Sequence, residues 1–334
     1  VRERMALESA RNIDVVLFDK TGTLTKNELM VTVVVTNQGS YTVTGTGYQV
    51  QGEVLHNDRV QKSASSDPQL QRIMEIALLL DRSLVTYSHT KKKYFVRGSV
   101  NEAALAVCAK KYGLSLTQFQ NTHKSVYEIP FSAQHQYHAA FYETKEGTIA
   151  YIIGSPELIA KRSVTGHTLL QEAVDKATQT GMRVVVAAFK KIENLKELQA
   201  AQTEFGWAAL VDDGLEPIGF FCMQDTLREG AREVVQAMTE AGITVVMATG
   251  DNAKTAAHSA AQAGITEVHA RALPADKAQL VHTFQQQGKV VAMIGDGVND
   301  VPALSLADVS IAMGCSGSEL AKDAAHIIVV DDAF

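Results

Sequence analysis

Residues 15–25 read VVLFDKTGTLT: an apolar run, a carboxylate at Asp19, then a loop of small hydroxyl residues and a glycine. The pattern predicts a buried strand ending at Asp19, with Gly22 letting the backbone turn tightly around a bound oxyanion. Many phosphate-handling enzymes place a second acid two residues after such an aspartate. Here that position is Thr21, so no acid stands where those enzymes carry one.

Two later stretches end in the same way, ATGDN at 248–252 and IGDGVND at 294–300. From about residue 225 onward, β-branched apolar runs at 244–248, 290–294, 309–313 and 326–330 alternate with helical patterns at 228–241, 253–263, 275–287 and 318–324. Gly242, Gly264 and Gly288 sit just past three of these helices, where a left-handed residue closes a helix most easily as glycine. Such alternation predicts an α/β fold, a parallel sheet with helices on both faces. Ligands of open α/β sheets bind at the carboxyl ends of the strands. Asp19, Asp251 and Asp296 are therefore expected to converge, across a gap of more than two hundred residues.

The residue types at these ends point to phosphate and a cation. Asp296 and Asp300 lie four apart with Asn299 between them, a set of carboxylates and an amide that suits a hard cation such as Mg2+. Helix capping accounts for one of the two aspartates but not for the set. Thr249, Gly250 and Asp251 follow a strand and open a helix, where a hydroxyl and free N–H groups can hold a phosphate. Lys277, one turn into the helix after Pro274, is read with this cluster as the cation balancing the phosphate and Asp19.

The intervening residues, about 31 to 223, have a different texture. Short paired strands are expected at 31–36, 41–44, 126–129, 138–143, 148–153, 183–189 and 218–223, with helices near 69–80, 102–112, 156–161, 169–180 and 195–205. This reads as an α+β domain inserted after the first strand of the α/β domain. The 334 residues favour two domains. The net charge of −6 gives no reason to expect nucleic-acid binding, and the triplet 91–93 is expected as a solvated face. No stretch approaches the roughly 18 consecutive apolar residues of a membrane helix. Charged residues from Arg2 onward, with no apolar signal core, argue against secretion. Cys108, Cys222 and Cys315 have no CxxC spacing and are expected to pack as small core residues. The glycines of TGTGYQVQG lack the dinucleotide spacing and a following helix.

In this order and spacing, DKTGTLT, TGDN, ALPADK and GDGVND resemble the P-type cation-transporting ATPases, within the haloacid-dehalogenase superfamily. The resemblance covers essentially the whole chain. It implies a Rossmann-like phosphorylation domain (1–30 and 224–334) split by an inserted nucleotide-binding domain (31–223) with an antiparallel sheet. It further implies that Asp19 attacks the γ-phosphate of ATP to form an aspartyl-phosphate. Mg2+ would be held by Asp19, the carbonyl of Thr21 and Asp296, with Asn299 and Asp300 supporting it. Lys277, Thr249 and Gly250 would hold the phosphoryl oxygens, and Asp251 belongs to the same catalytic set. Asp225 and Arg228 in MQDTLR match the family's hinge, with Thr226 and Leu227 where prolines are usual.

The insert resembles that of the calcium, sodium/potassium and proton pumps. EIPFSAQHQ implies that Phe131 stacks on adenine, RGSVNEAAL that Glu102 lies near the base, GMRVVV that Arg183 lies near the phosphates, and GSPE that Gly154 lies under the nucleotide. Ile153, Ala133 and Gln136 stand where this branch is usually basic, which implies weak ATP binding. Heavy-metal pumps carry a His-Pro pair, and none of the ten histidines here precedes a proline, although residues 1–14 are similar to their lead-in. His135 and His138 have no further ligand nearby in sequence, and a polar loop is expected there.

The expectation is thus a monomeric cytoplasmic fragment of an ion-pumping ATPase, working with its own actuator and transmembrane domains at the cytoplasmic face of the membrane. A free-standing phosphatase of the same superfamily and a nucleotide-binding regulatory module are the alternatives. Thr21 weighs against the phosphatase, because it cannot protonate a leaving group and then activate water. No TGES-like loop occurs in the sequence, so dephosphorylation is expected to be slow.

Overall fold

A computed structural model of the chain describes residues 4–62, 67–89, 93–132, 135–165, 167–192 and 203–333. Lys91 and Lys92 of the basic triplet, Ala133, and residues 195–202 of the expected 195–205 helix lie outside the described residues. The chain forms two compact units. One comprises residues 1–28, 87–94 and 225–334, the other 29–86 and 95–224.

The first unit is built on six parallel strands, β1 (Val15–Phe18), β2 (Thr244–Ala248), β3 (Glu267–His269), β4 (Val291–Gly295), β5 (Val309–Met313) and β6 (Ile327–Val329), in the order β3-β2-β1-β4-β5-β6. Helices α1 (Ala231–Glu240), α2 (Ala253–Ala263), α3 (Pro274–Gln286), α4 (Val301–Leu306) and α5 (Glu319–Ala324) connect and flank them. Alternating strand residues explain why both faces must be covered. Val16, Phe18 and Met247 pack with Val235 of α1 and Ala256 and Ala260 of α2. Leu17, Val246 and Met293 pack with Val281 of α3, Leu304 of α4 and Ala321 of α5 on the other face. Leu17 and Phe18 are fully buried, each worth about 1.5–3 kcal/mol of apolar transfer. Gly242, Gly264 and Gly288 take φ of 83°, 80° and 77°, the left-handed conformation expected past the helices.

From β2 the chain moves outward to β3 and then returns to β4 on the opposite side of β1. The strand order therefore reverses around β1, and the crevice at the carboxyl ends opens beside Asp19. Two elements go beyond the sequence pattern. β3 is three residues long, and α4, directly after GDGVND, is six. Both are too short for periodicity to mark them.

The second unit carries a largely antiparallel sheet, in the order Arg59–Gln61, Val54–His56, Gly39–Val43, Thr25–Thr36, Glu216–Leu227, Arg183–Ile192, Gly147–Gly154, Tyr137–Thr144 and Lys124–Ile129. Its core gathers Tyr137, Phe141, Ile152 and Phe220, with Trp207 stacked on Tyr127 at 4.8 Å between ring centres. The helices Pro68–Leu79 and Val100–Lys111 start at side-chain caps, Asp67 accepting from Gln69 and Leu70 N–H and Ser99 from Glu102 N–H. The strand expected at 138–143 is present as Tyr137–Thr144, its first six positions all buried, and His138 lies within it rather than in the polar loop also expected around His135 and His138. Cys108 and Cys222 are buried as expected, whereas Cys315 is half-buried. No helix among the described residues is long and apolar enough to cross a membrane.

Candidate active site

Asp19 follows β1 with extended backbone and is 8% exposed. Its Oδ1 accepts from Lys277 Nζ at 2.5 Å, and the same ammonium donates to Asp300 Oδ1 at 2.7 Å. Asp19, Asp296 and Asp300 offer carboxylate oxygens within 4.8 Å of one another. Within this cluster three carboxylates face one ammonium, which leaves two negative charges in a buried space. Burial first, then Asp300, pushes the Asp19 pKa up to about 6 against the opposing pull of Lys277. Burial, Asp19 and Asp300 likewise push Asp296 up to about 7. Burial disfavours the charge on Lys277, but Asp19 and Asp300 outweigh it and hold its pKa above the usual lysine value.

The donor set fits one hard divalent cation such as Mg2+, which would neutralise the two excess charges. Asp300 is the least available of the three acids. Its Oδ1 is taken by Lys277, and its Oδ2 accepts from Asp296 N at 3.2 Å and Gly297 N at 3.0 Å. It positions the lysine and the turn, leaving Asp19 and Asp296 as the open carboxylates. Asn299 is exposed beside them. Because a carboxylate must lose its proton to bind metal, Mg2+ binding is expected to weaken at least about tenfold between pH 7.5 and 5.5. Magnesium titrations followed by melting temperature at the two pH values check this.

Backbone geometry fixes the loop after Asp19. Gly22 has φ +81°, and a Cβ there would lie 2.0 Å from Asp296 Oδ2, so only glycine lets the two strand ends approach. Arg228 donates from Nε to Thr23 O at 2.8 Å and from Nη2 to Gly22 O at 2.6 Å. Ser316 Oγ also donates to Gly22 O, at 3.2 Å, and Asp332 accepts from the N–H groups of Cys315 and Ser316, both at 2.8 Å. At the end of β2, Thr249 is buried and its Oγ1 accepts from Asp251 N at 3.2 Å. Gly250 is exposed. Asp251 does not cap α2; Asn252 does, accepting from Lys254 and Thr255 N–H. The Asp251 carboxylate instead pairs with buried Lys20 at 2.6 Å.

The second unit has a separate cavity of about 520 Å³. Phe131, Glu102, Gly154 and Arg183 all line it, with Ile153 and Gln136. Phe131 is 55% exposed, an aromatic face held open to solvent. Arg183 Nη1 donates to Asn101 Oδ1 at 2.7 Å. Gly154 is buried at the end of its strand, where a Cβ would press on Ile159 and Tyr137 at 3.2 Å.

A family profile described as haloacid dehalogenase-like hydrolase matches residues 13–308. The chain belongs to the haloacid dehalogenase-like hydrolases. Among curated proteins it is 31% identical to a cation-transporting ATPase of Synechocystis sp., aligned over all of this chain and 41% of that protein. It is 27% identical to a calcium-transporting ATPase of Bacillus subtilis (all of this chain, 41% of that one) and 29% to calcium-transporting ATPase type 2C member 1 of Homo sapiens (all of this chain, 38% of that one). The chain thus spans about two fifths of the length of these relatives. A solved zinc-transporting PIB-type ATPase in an E2.Pi state matches in fold with a TM-score of 0.63 at 22% identity, covering 98% of this chain and 40% of that one. The resemblance to P-type cation ATPases read from the motifs is therefore borne out, as is the mixed fold with one parallel and one antiparallel sheet.

In this haloacid dehalogenase-like site, sequence reading missed Lys20, Ser316 and Asp332. The signal for Ser316 was available. GCSGSE follows β5 at the same carboxyl edge of the sheet as DKTGT and GDGVND, and its glycines mark a tight turn.

Proposed function

We propose that this chain is the ATP-using catalytic part of a P-type cation-transporting ATPase, in which Asp19 accepts the γ-phosphoryl group of ATP. The observation that carries the reading is Asp19 at the strand end, held by Lys277 and flanked by Asp296, with Thr21 where a second acid would stand. A carboxylate oxygen of Asp19 attacks the phosphorus, the bond to the ADP oxygen breaks, and an aspartyl-phosphate results. Mg2+, held by Asp19, Asp296 and the Thr21 carbonyl, would offset charge on the phosphoryl oxygens. Lys277 stabilises the same charge as it spreads, and the turn at Thr249 and Gly250 offers a hydroxyl and N–H groups to it. The Thr21 hydroxyl is too weak an acid to protonate a leaving group and then activate water, so this site would form the acyl phosphate without a built-in group to hydrolyse it.

The cavity of the second unit supplies the nucleotide reading. Phe131 offers a stacking face, Glu102 an acceptor for base N–H groups, and Arg183 a cation. With Ile153 and Gln136 in place of cations, stacking carries an unusually large share of binding. Phe131→Ala is expected to weaken ATP binding about tenfold or more, since stacking on an aromatic is worth about 1–3 kcal/mol per base. Calorimetric titration with Mg-ATP measures it.

Incubation with γ-labelled ATP and Mg2+ tests the activity itself. A label stable in acid and released by hydroxylamine supports it. Rapid phosphate release from small phosphoesters with no trapped intermediate points instead to a free-standing phosphatase. Within such a pump the chain would work with actuator and transmembrane domains at the cytoplasmic face of the membrane.

A further inference from the structure

The cavity read as the nucleotide site is lined by a buried histidine that the proposed chemistry leaves unused. His138 is 4% exposed and lines the cavity wall. Its Nδ1 lies 3.1 Å from Glu102 Oε1 and its Nε2 2.9 Å from Glu128 Oε1. A neutral imidazole has a single N–H, so one ring nitrogen would turn a lone pair toward a carboxylate. Between two ionised carboxylates, only the imidazolium satisfies both contacts. Each takes the form of a charge-assisted hydrogen bond.

The surroundings complete the charge balance. Arg82 donates from Nε to Glu128 Oε2 at 2.8 Å, and its backbone N–H donates to Glu102 Oε2 at 3.2 Å. Arg82 also donates to the carbonyls of Leu79 and Asp81 and to Tyr142 Oη. The Asp81 carboxylate is turned to Ser83, accepting from both its N–H and its hydroxyl. On the neighbouring strand the residue paired with His138 is Ile153, which carries no charge. Glu157 and Arg183 are the remaining charged side chains lining the cavity.

We propose that His138 holds a proton between Glu102 and Glu128 and so fixes the Glu102 carboxylate for recognition of the nucleobase, coupling nucleotide binding to that proton. His138 is a positioning residue here: it acts on the base through Glu102. The proposal rests on the nucleotide reading of this cavity and adds to it a built-in proton requirement. With the proton in place, Glu102 is anchored at one oxygen by His138 and at the other by the Arg82 N–H, and each oxygen keeps a free lone pair for a base N–H. When the proton leaves, one of the two imidazole contacts becomes repulsive and the anchor fails.

Two measurements on the full chain test this. Nitrogen NMR of the His138 ring in the nucleotide-free chain is expected to show both ring nitrogens protonated at the acid end of the range over which ATP binding is followed. Calorimetric titration with ATP from pH 6 to 9 is expected to show affinity falling about two- to tenfold, the worth of one hydrogen bond, as that signal reports loss of the proton. In Glu128→Gln the new amide can donate to Nε2, so a neutral ring bonded to Glu102 through Nδ1–H suffices. That variant should bind ATP with no pH dependence beyond the nucleotide's own, which cancels in the comparison. A His138 ring with one protonated nitrogen throughout the range, or identical pH profiles for wild type and Glu128→Gln, overturns the proposal. A doubly protonated ring with no ATP bound at any pH overturns the nucleotide reading and the role of Glu102, and leaves the shared proton standing.

Discussion

Asp19→Asn is expected to leave no hydroxylamine-labile label after incubation with Mg2+ and γ-labelled ATP, because the amide has no nucleophilic carboxylate oxygen to form the acyl phosphate. The same variant is expected to be more stable than the wild type at pH 7.5 without Mg2+. The folded pKa of Asp19, about 6, lies above its ordinary value of 3.8. Stability associated with the group is therefore fully present below about pH 4 and is lost as pH rises through 6. The neutral amide removes that penalty and can still accept from Lys277. The gain is on the order of 1–3 kcal/mol, read from urea denaturation at pH 7.5, and it should vanish near pH 4.5. A variant that is both more stable and inactive is the signature of a site kept electrostatically strained for function.

Lys277→Ala should act in the opposite direction on stability while also removing activity. Lys277 is the shared donor to Asp19 and Asp300, at 2.5 and 2.7 Å, and is 3% exposed. Its removal leaves those buried carboxylates facing each other and Asp296 without an ammonium. Breaking a buried pair from one side costs about 3–5 kcal/mol. Loss of a preorganised cation beside the transferring phosphoryl group is expected to slow phosphorylation about 10²–10³-fold. Denaturation at two pH values separates charge from packing: the deficit should shrink at pH 5, where Asp19 and Asp296 are largely protonated, and Lys277→Met should restore volume without restoring the rate.

Much of the Asp19 cluster was legible because each piece is local. Asp19 and Gly22 sit within one turn, and Asp296 and Asp300 within another, so the residue types alone placed these acids together at the strand ends. The division of labour among the acids was not legible. Asp300 looks equivalent to Asp296 by spacing, yet its oxygens are spent on Lys277 and on two backbone N–H groups, a fact set by how the turn folds back. Asp251 reads as part of a phosphate-holding turn with Thr249 and Gly250, but its carboxylate is taken by buried Lys20, distant in sequence. His138 was the largest miss. Its partners come from a helix and from a neighbouring strand, 36 and 10 residues away, and a strand buried on both faces offers no alternation to mark an inward histidine.

The most direct test of Asp19 as the phosphoryl acceptor is to react the chain with Mg-ATP, trap any acyl phosphate with borohydride, and map the reduced residue by peptide mass spectrometry. An aspartyl-phosphate at position 19 is reduced to homoserine, so the peptide spanning residues 15–25 should carry homoserine at that position and nowhere else. ATP consumed with residue 19 still aspartate, or homoserine found at a different aspartate, would contradict the account.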